Sequence, residues 1–476
     1  MSWLVILLLF FFLQMGIVLV SEHRHPAKAV AWLVILYLFP LFGFALYYFI
    51  AKRYTQRRKL RRQGIRMLVE IRRVMARHVN PVKDPEQMGG SGLASVPRLF
   101  NLLNRIPASQ ITSCNEVKVL KDGEETFAAI LAAMEGARRH IHLAYYTIRE
   151  DGIGRRFLDL MMKKARSGVE VRLIFDGVGS YQFSSKAIQS LRQAGVEVNC
   201  FLPPHIALFD KRINYRNHRK IVVVDGVTGY LGGINIGDEY LGLNPKLGHW
   251  RDTHLELRGD GVYYLQQTFL TDWFFVCGQR VTDARYFPEH SCKRKGHVQI
   301  IASGPDLQTD PILEMVFAAV AAANRRVWIT TPYFIPDPAV MTALKTAALS
   351  GVDVRIIIPG VADSRLVLWA SMSYVEELLL AGVRFFQYQQ GFVHAKVLLV
   401  DDVLASVGTA NMDMRSFFSN FELNAVLFDH REIARLESDY NMDEANCKEL
   451  RTNEFVNRGR VQRTKEMVAR LLSPLL

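Results

Sequence analysis

This chain is poor in cysteine, short of acid, and lacks any acidic cluster at metal-ligand spacing near its distinctive motifs. Its five cysteines (Cys114, Cys200, Cys277, Cys292 and Cys447) are dispersed without a C-x-x-C pair. That excludes a zinc site of the usual spacing and leads to an expectation of free thiols in a reducing compartment. Acid is outnumbered, 46 Asp and Glu against 59 Lys and Arg, leaving a formal charge of +13. Such a balance favours an anionic partner, either nucleic acid or an acidic membrane surface. Charged side chains are missing altogether from Trp3 to Val20 and again from Ala29 to Ala51.

Those two uncharged runs are each long enough to cross a bilayer core, which takes about 20 residues. With the link Ser21 to Lys28 they are expected to form a transmembrane hairpin over residues 1–51. A cleaved signal peptide is the weaker reading, since a basic leader and a small-residue cleavage site are both missing. Pro40 and Gly43 are tolerable within a membrane helix. Directly after it stand Lys52, Arg53, Arg57, Arg58, Lys59, Arg61 and Arg62, outweighing Arg24 and Lys28 in the link. The positive-inside rule then puts the rest of the chain in the cytoplasm, below a cell membrane spanned twice.

Residues 52–112 read as a basic connector. Leu60, Met67, Leu68, Ile71 and Met75 recur at near-helical spacing among Arg66, Arg72, Arg73 and Arg77. Two readings stand side by side: a cationic helix lying on anionic headgroups, or a helix packing its stripe on the globular part. Met88-Gly89-Gly90-Ser91-Gly92 reads as a flexible linker or loop.

From there the sequence repeats itself. Ser167-Gly168-Val169-Glu170-Val171-Arg172-Leu173-Ile174 is answered by Ser350-Gly351-Val352-Asp353-Val354-Arg355-Ile356-Ile357, and Ala194-Gly195-Val196 by Ala381-Gly382-Val383. Order is kept with small insertions, the mark of a duplication. Each half alternates strands and helices and ends in paired strands, so two α/β units are expected, 113–292 and 293–476, packed about a pseudo-twofold axis. The all-apolar runs Ile221 to Val224 and Val397 to Val400 read as strands buried on both faces.

Both halves carry one unusual word. His218-Arg219-Lys220 is followed by four apolar residues and Asp225; His394-Ala395-Lys396 is followed by four and Asp401. An Asn comes seventeen positions after each His, Asn235 and Asn411. Side chains at i and i+2 of a strand share a face, so each imidazole projects with its ammonium. Two halves meeting face to face offer two imidazoles, two ammonium groups and two carboxamides, a cage suited to a phosphate. One His can attack phosphorus while the other protonates the departing oxygen. The lysines stand where a metal's charge would otherwise be needed, so a reaction without metal or other cofactor is expected. Asp225 and Asp401 complete the catalytic word, although a turn position after an apolar strand suits a structural anchor.

At these residues the chain resembles the phospholipase D superfamily, whose signature is a duplicated HKD motif. The strings Asn214-Tyr215-Arg216-Asn217-His218-Arg219-Lys220, Gly232-Gly233-Ile234-Asn235-Ile236-Gly237-Asp238-Glu239-Tyr240 and Trp250-Arg251-Asp252-Thr253-His254 narrow the resemblance to bacterial cardiolipin synthases of that type. So do the apolar N-terminus and the Ser303-Gly304-Pro305 turn. The resemblance implies phospholipase D-like units and a transesterification in which two phosphatidylglycerol molecules give cardiolipin and glycerol. It implies His218 as nucleophile and His394 as acid and base, with Glu422 supporting His218 and Asp252 supporting His394. Phosphatidylglycerol is then both donor and acceptor, anionic lipids are the partners, nucleic acid is not, and the oligomeric state is left open. The second copy has Gly408-Thr409 where many members have Gly-Ser. A hydrolytic phospholipase D, an HKD nuclease and a catalytically silent membrane scaffold are the rival readings.

Overall fold

The computed structural model describes residues 2–22, 26–50, 58–79, 81–203, 215–291 and 296–473. Seven strands build the first sheet: β1 (Asn115–Lys121), β2 (His140–Tyr145), β3 (Glu170–Asp176), β4 (Glu197–Phe201), β5 (Ile221–Val224), β6 (Thr228–Gly232) and β8 (Thr253–Gly259). They lie in the order β1-β8-β6-β5-β2-β3-β4. The second sheet uses β9 (Val298–Ser303), β10 (Arg326–Thr330), β12 (Asp353–Pro359), β13 (Arg384–Tyr388), β15 (Val397–Val400), β16 (Leu404–Gly408), β18 (Glu422–Leu427) and β19 (Cys447–Glu449). Its order, β9-β18-β16-β15-β10-β12-β13-β19, repeats the first and adds one edge strand. In both, the strand after the motif runs antiparallel to its neighbour while the next pairs outward are parallel. The duplication expected from sequence is therefore a duplication of topology.

Alternation along β5 explains how the halves join. Ile221 and Val223 face a core shared with Val397, Leu399, Val407 and Leu423 of the second half. Val222 and Val224 point the other way, into a core with Phe127 and Phe157 from helices Asp122–Gly136 and Gly152–Arg166. Every residue of β5 and of β15 is buried, as a strand covered on both faces must be. The two sheets meet through this shared core, to which helices Gly261–Cys277 and His430–Glu444 also contribute. Two short parallel pairings also stitch the halves: β7 (His249–Arg251) with β14 (Gly391–Val393), and the single bridge Asn217 to Phe421.

The N-terminus consists of α1 (Ser2–Ser21), α2 (Pro26–Leu38), α3 (Pro40–Ile50) and α4 (Arg58–Met75). The second apolar run is thus not one helix. Pro40 has no N–H to continue the ladder, and the chain bends at Phe39, although Gly43 N still donates to Phe39 O at 2.6 Å. Counting only residues whose side chains are described, no helix is long and apolar enough to cross a membrane. Lys52, Arg53 and Arg57 lie outside the described residues, as do Arg24 of the link, Asn214 at the head of the first motif string, and Cys292.

Three expectations are corrected here. The α4 stripe packs inward: Met67, Ile71 and Met75 are buried in the shared core, Gly64 sits against Phe274, and Glu70 pairs with Arg280 at 2.7 Å. The headgroup reading of that stripe falls. Met88–Gly92 is not a loose linker, because Ser91 Oγ donates to Phe428 O at 2.9 Å and Met88 is fully buried. A Cβ on Gly92 would stand 2.4 Å from Asp402 O, so glycine serves close approach there. Finally, Cys114 is disulfide-bonded, while Cys200, Cys277 and Cys447 are free. Cysteine usage therefore gives no argument for a reducing compartment. The start of β1 is stitched to the chain entering β9, with Thr112 donating to Val298 from 186 positions away, a proximity that local spacing cannot reveal.

Candidate active site

Each histidine is placed by the main chain of the other half. His218 N donates to Phe421 O at 2.9 Å, and His394 N donates to Arg251 O at 2.7 Å. The residues following those two carbonyls are Glu422 and Asp252. Hence His218 Nδ1 lies 3.0 Å from Glu422 Oε2 and 3.1 Å from Oε1, and His394 Nδ1 lies 2.8 Å from Asp252 Oδ2. A carboxylate on Nδ1 orients the ring and leaves Nε2 as the outward nitrogen. Both pairs implied by the resemblance are formed, each across the interface.

The ammonium groups are deeply buried, Lys220 at 0% and Lys396 at 3% exposure. Each donates to the carbonyl of its own histidine, Lys220 Nζ to His218 O at 2.7 Å and Lys396 Nζ to His394 O at 2.5 Å. Burial, opposed in part by Glu422, brings Lys220 down to about 7; burial, opposed by Asp252, brings Lys396 down to about 8. Burial also depresses both imidazoles. His394 is pushed furthest, because Lys396, Lys220 and His218 all repel its cationic form. Groups from both halves thus act on one another: the two motifs share one pocket. Burial disfavours the cationic form of all four bases here, and an anion brought among them would favour it.

The two carboxylates differ. Burial raises Asp252 above its usual range, against the pull of Lys396. Burial works on Glu422 as well, but His218 and Lys220 outweigh it and hold that carboxyl below its usual value. Glu422 also accepts from Thr409 Oγ1 at 2.5 Å and from Asn420 Nδ2 at 3.1 Å. The Gly-Thr departure in the second motif is therefore a hydroxyl delivered to this carboxylate. Close approach dictates the Gly232-Gly233 turn in the same way, since a Cβ on Gly233 would fall 2.1 Å from Asp252 Oδ1.

The remaining expected residues divide. Asn235 Nδ2 donates to Tyr240 OH at 3.0 Å and its Oδ1 accepts from Thr147 N at 3.1 Å; Asn411 Nδ2 donates to Asp413 Oδ2 at 2.9 Å. An amide has two N–H donors, so each keeps one beyond these bonds. Asp225 and Asp401 are not brought to the pocket. They lie past the far ends of β5 and β15, roughly 13 Å of strand away. Asp225 accepts from Arg138, Arg139 and His140 N at 2.9, 2.7 and 3.0 Å. Asp401 accepts from Asn324, Arg325 and Arg326 N at 2.8, 2.9 and 2.8 Å. Both have positive φ, 55° and 49°, so they are anchors on left-handed turns.

Sequence reasoning passed over the aromatic walls. Tyr146 stands edge-on to His218 at 5.2 Å between centroids, with Lys220 Nζ 5.5 Å from its ring. Trp250 and Phe392 flank His394 at 5.1 and 5.8 Å. Trp250 lies inside a quoted motif string and Phe392 two residues before the second His, but Tyr146 has only its place after β2 to mark it.

Comparison with known proteins identifies the family and the fold. The family model described as cardiolipin synthase, PLD-like domain, matches residues 130–273 and 316–443. The chain is 43% identical over 97% of its length to a cardiolipin synthase of Halalkalibacterium halodurans, of which it covers 91%. It is 42% identical over 97% of its length to cardiolipin synthase 2 of Bacillus cereus, covering 89% of that protein. Among solved structures, phosphatidylserine synthase from Haemophilus influenzae superposes with a TM-score of 0.64 at 14% identity, over 80% of this chain and 100% of that one, a likeness of fold. The chain belongs to the cardiolipin synthase family of phospholipase D-like enzymes.

Proposed function

We infer that the protein transfers a phosphatidyl group between two phosphatidylglycerol molecules, leaving cardiolipin and releasing glycerol. What carries the reading is the crossed pair of imidazole–carboxylate contacts around two buried lysines. In the first step His218, neutral and oriented through Nδ1 by Glu422, attacks phosphorus with Nε2. A P–N bond forms as the P–O bond to the headgroup glycerol breaks, and His394 gives its proton to the departing oxygen. In the second step His394 takes the proton of the acceptor's glycerol hydroxyl, that oxygen attacks phosphorus, and the P–N bond breaks. Lys220 and Lys396 neutralise the non-bridging oxygens throughout. His394 must be protonated at the start. The diester's negative charge offsets the two lysines that depress it, so substrate itself raises the acid. Asn235 and Asn411 add an N–H each to the phosphate. The motif aspartates Asp225 and Asp401 act on the reaction only through the strands they anchor.

Residues 1–51 fit a two-span anchor, with the catalytic halves on the cytoplasmic side of the cell membrane. What supports this is a helix α1 free of charged side chains, with Leu9, Phe12 and Leu13 each at least 60% exposed, and the basic run that follows α3. Purified protein with phosphatidylglycerol vesicles and a chelator should release glycerol and cardiolipin in equal amounts. Phosphatidic acid without cardiolipin would instead assign it hydrolysis.

A further inference from the structure

Helix Arg460–Leu472 is two-sided. Glu466, Ala469 and the following Ser473 face inward, at 2%, 1% and 1% exposure. Ser473 Oγ and Tyr374 OH are 2.7 Å apart, and Arg458 Nε donates to Glu466 at 2.8 Å. At 100° per residue the opposite side carries Val461, Thr464, Met467, Val468 and Leu471. The four apolar ones are 71%, 63%, 54% and 52% exposed. Single exposed hydrophobes are ordinary, but a row of four along one helix face is not.

The row has basic edges, with Arg460, Arg463, Lys465 and Arg470 along it. The helix's one acid, Glu466, is turned inward onto Arg458. Lys465 Nζ lies 5.3 Å from the ring of Trp369 on helix Arg365–Leu380, where Leu366 is 37% exposed one turn earlier. That helix starts beside Asp363, which accepts from the Tyr333 hydroxyl and whose charge is felt at Lys396. Lys465 thus links the strip to the helix whose N-terminus lies beside Asp363.

We propose that this strip seats on an anionic lipid surface, its basic edges among the headgroup phosphates, and holds the pocket mouth at the bilayer. The proposal rests on the reading that the substrates are bilayer lipids. Charge complementarity selects the occupant. Arg463 is paired with Glu376 at 3.7 Å and Arg470 donates to Ser373 O at 2.9 Å, but a second copy paired through the same strip would still set base against base, whereas phosphates complement Arg460 and Lys465.

The test uses the full chain in nanodiscs and the exposed-face variant Val468→Asp/Leu471→Asp. Turnover of bilayer phosphatidylglycerol should fall about tenfold more than turnover of a short-chain, monomeric phosphatidylglycerol. Equal losses on both substrates, or no loss on either, would overturn the proposal. A polarity-sensitive dye on Val468→Cys should shift to the blue in phosphatidylglycerol nanodiscs and not in phosphatidylcholine ones. A shift that follows protein concentration without regard to lipid would mean contact between copies, and would equally sink the idea. Wild-type protein inert toward both substrates would defeat the transferase reading, while the dye would still decide the surface.

Discussion

His218 of the first half receives from the second a glutamate that is bonded by a threonine, an asparagine and the imidazole. His394 of the second half receives from the first an aspartate bonded by the Thr253 N–H at 2.8 Å and by Trp250 Nε1 at 3.4 Å, between aromatic walls. The main-chain splice that delivers each carboxylate is the same, so the difference lies in what surrounds it. Glu422, its carboxyl held below the usual range, stabilises an Nδ1–H donor, which favours the proposed role of His218 Nε2 as nucleophile. Asp252 is pushed toward its neutral form by burial and lies by the imidazole that is the more strongly kept from protonation of the two. The two halves share one geometry and differ in the second partners of their carboxylates, which is the basis for the separate roles proposed for the two histidines.

The harshest way to break the comparison is to remove each ring. His218→Ala and His394→Ala should each cost about 10⁴-fold or more in cardiolipin formation. They should fail differently. Incubation of His394→Ala with a phosphatidyl donor bearing a good leaving group should still trap the adduct on His218, visible by peptide mass analysis, while His218→Ala traps none. An adduct on His394 would reverse the assignment.

Next in size is the carboxylate pair. Glu422→Gln and Asp252→Asn should each lower kcat by roughly 10²–10⁴-fold, with Glu422→Gln the more severe in the adduct-forming step. Lysine charge should set the alkaline limb of the wild-type profile. With Lys220 near 7 and Lys396 near 8, kcat/KM should fall as pH rises through this range, since deprotonation removes the charge that binds phosphate. Bound diester favours the charged lysines, so the kcat limb should lie at higher pH. A kcat limb at or below that of kcat/KM would contradict the buried-lysine account.

Why the crossed pairing was beyond reach of spacing alone is plain from the residues. His218 and Glu422 are 204 positions apart, and only the strand order brings them together. The repeat, the apolar strands and the motif word were legible because they are local: alternation in Val222 and Val223, the i and i+2 relation of His and Lys. Asp225 and Asp401 were legible for the same reason, as turn residues ending a strand. Tyr146, Phe392 and the Cys114 disulfide were not, since each depends on a neighbour supplied by tertiary packing. The α4 stripe was seen but its partner was not, because an amphipathic face carries no record of whether protein or lipid covers it.

The anchoring aspartates offer a milder test, one that treats the halves alike. Asp225→Ala and Asp401→Ala each orphan three backbone N–H groups at a turn of positive φ, and should cost about 2–4 kcal/mol of stability. Activity per folded molecule should change far less than for the histidine variants. Urea unfolding beside turnover at low temperature separates the two effects. If Asp401→Ala stopped chemistry without moving the unfolding midpoint, the anchor assignment would fall.

The gentlest test sharpens the contrast through acid. β2 buries His140 and His142, bridged by Gln266 and held near about 3 and about 4 by burial, with His142 beside the Arg172 guanidinium, Glu170 close by and Asp225 acting on His140. The matching strand β10 carries Arg326 and Trp328 instead. Both imidazoles titrate lower folded than unfolded, so between about 4 and 6.5 the unfolded chain binds more protons and stability is lost as pH falls. At pH 5 each histidine should cost about 2 kcal/mol relative to pH 7.5, lowering Tm by several degrees. His140→Gln/His142→Gln should flatten that dependence, and hydrogen exchange at pH 5 should open β2 and β5 before β10 and β15. Equal acid sensitivity in the two sheets would mean that the pocket histidines, rather than this pair, govern acid stability.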